Sequence, residues 1–286
     1  MNIKTRTQYI IIFLCCISIF LYYIFSIRLV NKDEENPTLE NMGYVKCAKV
    51  FQREEIQLLL DQCKRGDYIS TKKYLLSSHK LKNLLSTTLS KDYILQDYIW
   101  IIQKSMVHTC HRDNNGDFFN EGQEYPSYTM IIYLENMKRC LSVLPVSHKH
   151  KNSYFFNFIT PLTDILCEPG DIVIFNANLI HVGAFNKNHD NIRIQMKASH
   201  NADIEVLSYY QDFNKVLKQE NTLPEFVRKG QRSLSCTFPG ISNLTQTDNI
   251  QSSRGTANGA VISWPQRVFS YLFYGKSDFY DLPNAF

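Results

Sequence analysis

What this 286-residue chain lacks narrows it first. None of its eight cysteines forms a CxxC pair; Cys15 and Cys16 are adjacent, and Cys47, Cys63, Cys110, Cys140, Cys167 and Cys236 are far apart. That spacing argues against a structural zinc knuckle, while leaving disulfides permitted in an oxidising compartment. Charge of one sign is not in excess: 31 Lys and Arg stand against 27 Asp and Glu, a net +4, and the cations are scattered. With no basic stripe, nucleic acid is not an expected partner. There is no internal repeat. The run His111-Arg112-Asp113 has no glycine-rich loop or VAIK-type strand upstream and no DFG downstream, so it is not a kinase catalytic loop. Asp113, Asn115, Asp117 and Glu124 fall at calcium-loop positions, but Phe118 stands where the sharp turn needs glycine.

One stretch lacks charge, proline and glycine altogether. Tyr9 to Ile27 is nineteen residues of apolar and aromatic chain interrupted only by Ser18 and Ser26, about the length that crosses a bilayer core of about 30 Å. No small-x-small cleavage site follows it. The expectation is a single-pass N-terminal membrane anchor within residues 1–30 and a polar spacer over 31–42. Lys4 and Arg6 before the run nearly balance Arg28 and Lys32 after it, which leaves open the side of the membrane. The main domain is expected over 43–229, a flexible polar loop over 230–259, rich in Ser, Thr, Asn, Gln and Gly, and an aromatic amphipathic segment over 260–286, for which capping the barrel is the default reading beside dimerisation or contact with a membrane surface.

Periodicity predicts a strand from Tyr44 toward Phe51, and then a helix opened by Gln52-Arg53-Glu54-Glu55. A second helix is predicted across Lys72 to Leu85. The segment Asp92 to Thr109 is read as starting helical and ending as the strand that delivers His111. From Tyr128 the chain changes to short β-rich runs: YTMIIYL, LSVLPV, SYFFNFI, DIVIFN, IHVGAF and NIRIQMKAS. Glu168-Pro169-Gly170-Asp171 is the turn before DIVIFN. Ile204 to Lys218 reads as a helix with an apolar stripe. Short strands at this spacing indicate a sandwich or barrel. The fold class is therefore mainly β with flanking helices, a jelly roll with helices packed outside.

A His and a carboxylate two residues apart in extended chain point to one side. His111 and Asp113 have that spacing, and His181 stands at the end of a distant strand run. Two His and one carboxylate form the face that suits non-haem Fe(II). Arg193 follows His181 by twelve residues and carries the planar fork that grips a carboxylate at two points.

On these residues the chain resembles the Fe(II)/2-oxoglutarate-dependent dioxygenases, and within them the phytanoyl-CoA dioxygenase-like branch. The resemblance is carried by HRD at 111–113, YTMIIYLENM at 128–137, LPVSHKHK at 144–151, EPGDIVIFNANLIHVG at 168–183 and NIRIQMK at 191–197, and spans about residues 43 to 200. It implies a double-stranded β-helix. It also implies His111, Asp113 and His181 as metal ligands and catalytic centre, with Fe(II), 2-oxoglutarate and O2 as cofactor and co-substrates. Arg193 would clamp the far carboxylate of 2-oxoglutarate, with Thr129 as a further contact. The implied reaction is hydroxylation of an organic substrate, a lipid or other small molecule, with decarboxylation of 2-oxoglutarate to succinate. Two alternatives stand beside it: a prolyl- or lysyl-type protein hydroxylase, and an inactive membrane-anchored β-barrel serving in interactions. Two positions depart from the pattern. Val146 stands where a glycine is frequent, and Gly183 where a Ser or Thr helps to hold the co-substrate.

Overall fold

The computed structural model describes residues 9–18, 37–104, 109–113, 115–152, 154, 156–157, 160–183, 191–208, 211–218, 223–240 and 264–274. A two-residue period decides the architecture. In β4 (Tyr128–Tyr133) and β7 (Ile172–Asn176) successive side chains enter two different cores, while β9 (Arg193–His200) sends Ile194, Met196 and Ala198 into one of them and turns Arg193, Gln195 and Lys197 to the opposite face. Met130, Ile132, Ile172, Ile174, Ile194 and Met196 pack with Leu59, Cys63, Leu75, Leu81 and Leu85 from three helices: α1 (Arg53–Arg65), α2 (Tyr68–Ser77) and α3 (His79–Thr88). The alternate residues Ile131, Tyr133, Val173 and Phe175 pack with Leu141, Val143, Ile165 and Cys167 of a second sheet. β7, covered on both faces, carries no polar face, which is why Ile172 to Phe175 is an unbroken apolar run.

The larger sheet has the order β1 (Tyr44–Cys47), β7, β4, β9, β3 (Tyr98–Lys104), β10 (Phe213–Lys218), with β2 (Tyr93–Leu95) also paired to β9. The smaller sheet is β6 (Thr163–Cys167), β5 (Met137–Val143), β8 (His181–Gly183). Two facing sheets with helices outside one of them fit the expected jelly roll.

The PGD turn joins helix layer to sheet. Gly170 has φ +92°, and a Cβ there would lie 2.5 Å from the Phe51 carbonyl oxygen. The Gly170 carbonyl accepts from the amides of Val50 and Phe51, at 3.0 and 3.3 Å. Asp171 accepts from the Lys49 and Glu168 amides, both at 2.9 Å. Gly170→Ala is expected to destabilise the fold by at least about 1–2 kcal/mol through the left-handed backbone alone, and by more through the clash. A urea denaturation midpoint equal to the wild type would contradict this.

Four expectations change. The segment from Asp92 is strand from the outset, as β2 and β3; in β3 the buried residues Tyr98, Ile99, Ile101 and Ile102 hide the alternation that separates strand from helix. Residues 204–207 form turns and 213–218 are β10, which runs parallel to β3 and stacks Phe213 on Tyr98 at 4.5 Å between ring centroids. The single helix over 72–85 is two, broken at Ser78, whose hydroxyl accepts from the Leu81 amide and caps α3. Residues 230–237, expected in a loop, belong to α4 (Glu225–Thr237). The buried face of α4 is Gly230, Ser235, Cys236 and Thr237, so apolar periodicity gives no sign of it. In the aromatic tail α5 (Trp264–Tyr274) rests on α4, with Gln231 Nε2 donating to the Leu272 carbonyl at 2.6 Å. Residues 9–18 are helical and exposed, and the remainder of the expected anchor, 19–27, lies outside the described residues. Among the described residues no helix is long and apolar enough to cross a membrane.

Candidate metal centre

The two histidines meet backbone to backbone. His111 and His181 form an antiparallel bridge, each amide donating to the other's carbonyl at 3.0 and 2.9 Å. Their rings lie side by side, centroids 4.4 Å apart. Each Nδ1 bonds to the carbonyl two residues back in its own chain, Thr109 for His111 at 2.8 Å and Leu179 for His181 at 2.9 Å. That carbonyl can only accept, so Nδ1 carries the hydrogen and Nε2 keeps its lone pair. Both Nε2 atoms face Asp113 Oδ1, at 3.8 Å from His111 and 3.6 Å from His181. The three donor atoms lie within 4.8 Å of one another.

The residue between them points away. Arg112 is buried and donates to the carbonyls of Ser147, at 2.7 Å, of Asn178, and of His150, at 3.1 Å. The Ser147-His148-Lys149 stretch thus supports the HRD segment through its backbone. Val146, just before it, takes φ +68°, a left-handed conformation that a β-branched residue rarely adopts and a glycine would take freely.

Behind the histidines, Cys110 is joined by a disulfide to Cys236 of α4, and its amide donates to Ser235 Oγ at 3.0 Å. With Ile180 and Val182 these cysteines form a small core that backs the His111–His181 bridge. Arg232 of α4 reaches the same sheet, donating to the Gly183 carbonyl and, at 2.7 Å, to Ser142 Oγ.

Sequence reading missed Lys197. Four residues beyond Arg193 on β9, it is 2% exposed and turns into the barrel. Its Nζ donates to Asp113 Oδ2 at 2.6 Å, to Thr129 Oγ1 at 2.7 Å and to Asn115 Oδ1 at 3.0 Å. The Thr129 hydroxyl in turn donates to Asp113 Oδ2. Thr129, a candidate for 2-oxoglutarate contact, therefore touches the Asp113 carboxylate itself. The only early signal for Lys197 was a cation amid the apolar residues of NIRIQMKAS, in phase with Arg193.

These contacts set the charges. Burial pushes the Asp113 carboxyl upward, but Lys197, His181 and His111 outweigh it and hold it well below the usual carboxylate range. Burial, aided by His111, pushes His181 down to about 4 against the pull of Asp113. At neutral pH the site therefore offers one carboxylate and a neutral His181, the forms a metal binds.

Arg193 lies on the face of β9 that carries Lys197, about 13 Å away along the strand at about 3.3 Å per residue. It pairs across the sheet with Tyr133. Burial lowers the pKa of its guanidinium, and Tyr133 beside it opposes the shift. The guanidinium donates to the Asn191 carbonyl at 3.0 Å, and among the described residues no carboxylate lies within ion-pair distance of it. The Tyr133 hydroxyl is fully buried with no hydrogen-bond partner, as is Asn115 Nδ2 near the triad. His148 and His200 stand outside the triad, while His108 and His189 lie outside the described residues.

The fold has known counterparts in part. SnoN, an α-ketoglutarate-dependent epimerase from nogalamycin biosynthesis, matches at 14% identity over 57% of this chain and 80% of its own, TM-score 0.48. HygX of Streptomyces hygroscopicus, solved with nickel and 2-oxoglutarate, matches at 14% identity over 57% and 84%, TM-score 0.45. AviO1 of Streptomyces viridochromogenes matches at 15% identity over 56% and 91%, TM-score 0.44. No protein-family profile matches the chain, and no curated protein matches it in sequence. At these identities and scores the function has to be read from this chain's own side chains.

Proposed function

We propose that this chain is an Fe(II)- and 2-oxoglutarate-dependent oxygenase acting on an organic substrate. The observation that carries the proposal is the convergence of His111 Nε2, His181 Nε2 and Asp113 Oδ1, each oriented by a second bond on its far side. Two imidazoles and a carboxylate on one side of a point suit Fe(II) and leave its other positions to small ligands. The residues also fit the co-substrate: a buried guanidinium without a carboxylate, beside a buried phenol without a partner, is a site prepared for an anion.

In this reading His111, Asp113 and His181 hold the metal, and Arg193 with Tyr133 receives the distal carboxylate of 2-oxoglutarate. When bound, the metal and 2-oxoglutarate supply the oxidation itself, with succinate and CO2 as co-products. The protein's share is orientation and exclusion of water. The bridge fixes the imidazoles, Thr129 and Lys197 fix the carboxylate, and the Val173, Phe175, Leu141 and Val143 face lines the barrel. The apolar run over 9–27 favours a lipid or another small molecule held in a membrane, with the chain as a single-pass anchored protein. A second reading is supported by Lys197: a metal-free barrel in which the ammonium has taken the metal's place as the cation of Asp113.

The test is succinate formation by the full chain, loaded with Fe(II) under anaerobic conditions, given 2-oxoglutarate and then oxygen. The oxygenase forms succinate slowly without its substrate, and Asp113→Asn does not. Arg193→Ala is expected to leave the metal bound and to weaken 2-oxoglutarate by about 30-fold or more, the scale of about 2–5 kcal/mol for losing one partner of a buried charged contact. Unchanged co-substrate affinity would remove Arg193 from the clamp. A chain that binds neither metal nor 2-oxoglutarate is the metal-free barrel.

A further inference from the structure

We propose that Lys197 is a positioning residue for the metal centre, fixing Asp113 as a ligand through one oxygen by holding the other. The inference rests on the metal reading above and concerns the side of the carboxylate facing away from the histidines. The two oxygens of Asp113 have different surroundings. Oδ1 faces the two Nε2 atoms at 3.8 and 3.6 Å. Oδ2 accepts from Lys197 Nζ at 2.6 Å and from the Thr129 hydroxyl.

An ammonium has three hydrogens and no acceptor. Asp113, Thr129 and Asn115 each take one, so Lys197 keeps no donor for a co-substrate or substrate. Its position follows from the strand: β4 and β9 pair Thr129 with Lys197 directly, so the hydroxyl and the ammonium leave the sheet side by side. Asn115, two residues past Asp113, closes the third bond and ties Lys197 to the same loop as the ligand.

A carboxylate ligand beside two histidines can bind through one oxygen or two, and a two-oxygen mode would occupy a position that the co-substrate or oxygen needs. Two strong donors on Oδ2, one of them charged, oppose that mode and still allow the one-oxygen mode. The reading in which Lys197 replaces the metal makes the opposite demand, because there the ammonium should sit on Oδ1 between the imidazoles. It sits on Oδ2. The site thereby carries one more buried positive charge than the two-His, one-carboxylate set requires.

The test is Co(II) titration of the full chain, followed by calorimetry and by visible ligand-field absorption, for the wild type, Lys197→Met and Thr129→Val. Lys197→Met removes both the charge and the bond at similar length; Thr129→Val removes the second donor with little change of shape. For Lys197→Met the expected result is a loss of about 10–100-fold in Co(II) affinity, the scale for losing a partner that orients a ligand, together with a changed absorption spectrum. A smaller shift in the same direction is expected for Thr129→Val, which decides the matter should Lys197→Met fail to fold. Affinity that is unchanged or raised, or a wild-type spectrum in the variants, overturns the role of Lys197 and leaves the metal site standing. A wild type that binds no Co(II) overturns both.

Discussion

Asp113→Ala should abolish metal binding and also destabilise the metal-free protein by about 3–5 kcal/mol, the cost of stranding a buried charge. The second effect follows from Lys197. A ligand at an exposed strand mouth could be removed with little consequence for the fold, but Asp113 is 9% exposed and its carboxylate neutralises an ammonium that is 2% exposed. With the carboxylate gone, Lys197 retains the neutral Thr129 and Asn115 as its hydrogen-bond acceptors among the described residues. Asp113→Ala combined with Lys197→Met should therefore cost less than the sum of the two single changes, by about 1–3 kcal/mol, without recovering metal. Urea denaturation of the four proteins in chelator measures this. Additive losses would mean that the ion pair contributes nothing to the fold.

The second large effect belongs to the disulfide. Cys110 and Cys236 are 126 residues apart, so the bond closes most of the domain into one loop. Replacing both by Ser should lower stability by about 2–4 kcal/mol. It should also reach the metal centre, because Cys110 directly precedes His111 and shares a buried core with Ile180 and Val182 beside His181. Weaker Co(II) binding is expected in the double Ser variant, and in wild type treated with a reductant. Equal denaturation midpoints with and without the bond would show that α4 is held by packing alone.

The cluster of His111, Asp113 and His181 was legible because its pattern is local at both ends: HxD fixes two side chains on one side of an extended segment, and His181 follows an apolar strand after a PGD turn. The runs of β4, β7 and β9 were legible as short β-rich stretches set off by turn residues such as Glu168-Pro169-Gly170-Asp171. In β3 both faces are buried and the period disappears, and β2 is only three residues long, so the segment reads as starting helical. α4 was hidden by the opposite effect. Its contacts are a disulfide, a serine hydroxyl and Arg232, none of which leaves an apolar pattern. Val146 was visible as a departure, and the structure supplies its meaning: the backbone is left-handed there, with or without glycine. Lys197 was out of reach, since nothing in a sequence tells a buried lysine that pairs with a carboxylate 84 positions away from one at the surface.

The most direct measurement is calorimetric titration of the full chain with Fe(II) under anaerobic conditions, and then with 2-oxoglutarate. Equimolar Fe(II) uptake that is lost in Asp113→Asn, with 2-oxoglutarate binding that needs both the metal and Arg193, is the predicted result. No uptake by the wild type, or uptake undiminished when Asp113 or His181 is changed, would contradict the metal centre and with it the oxygenase.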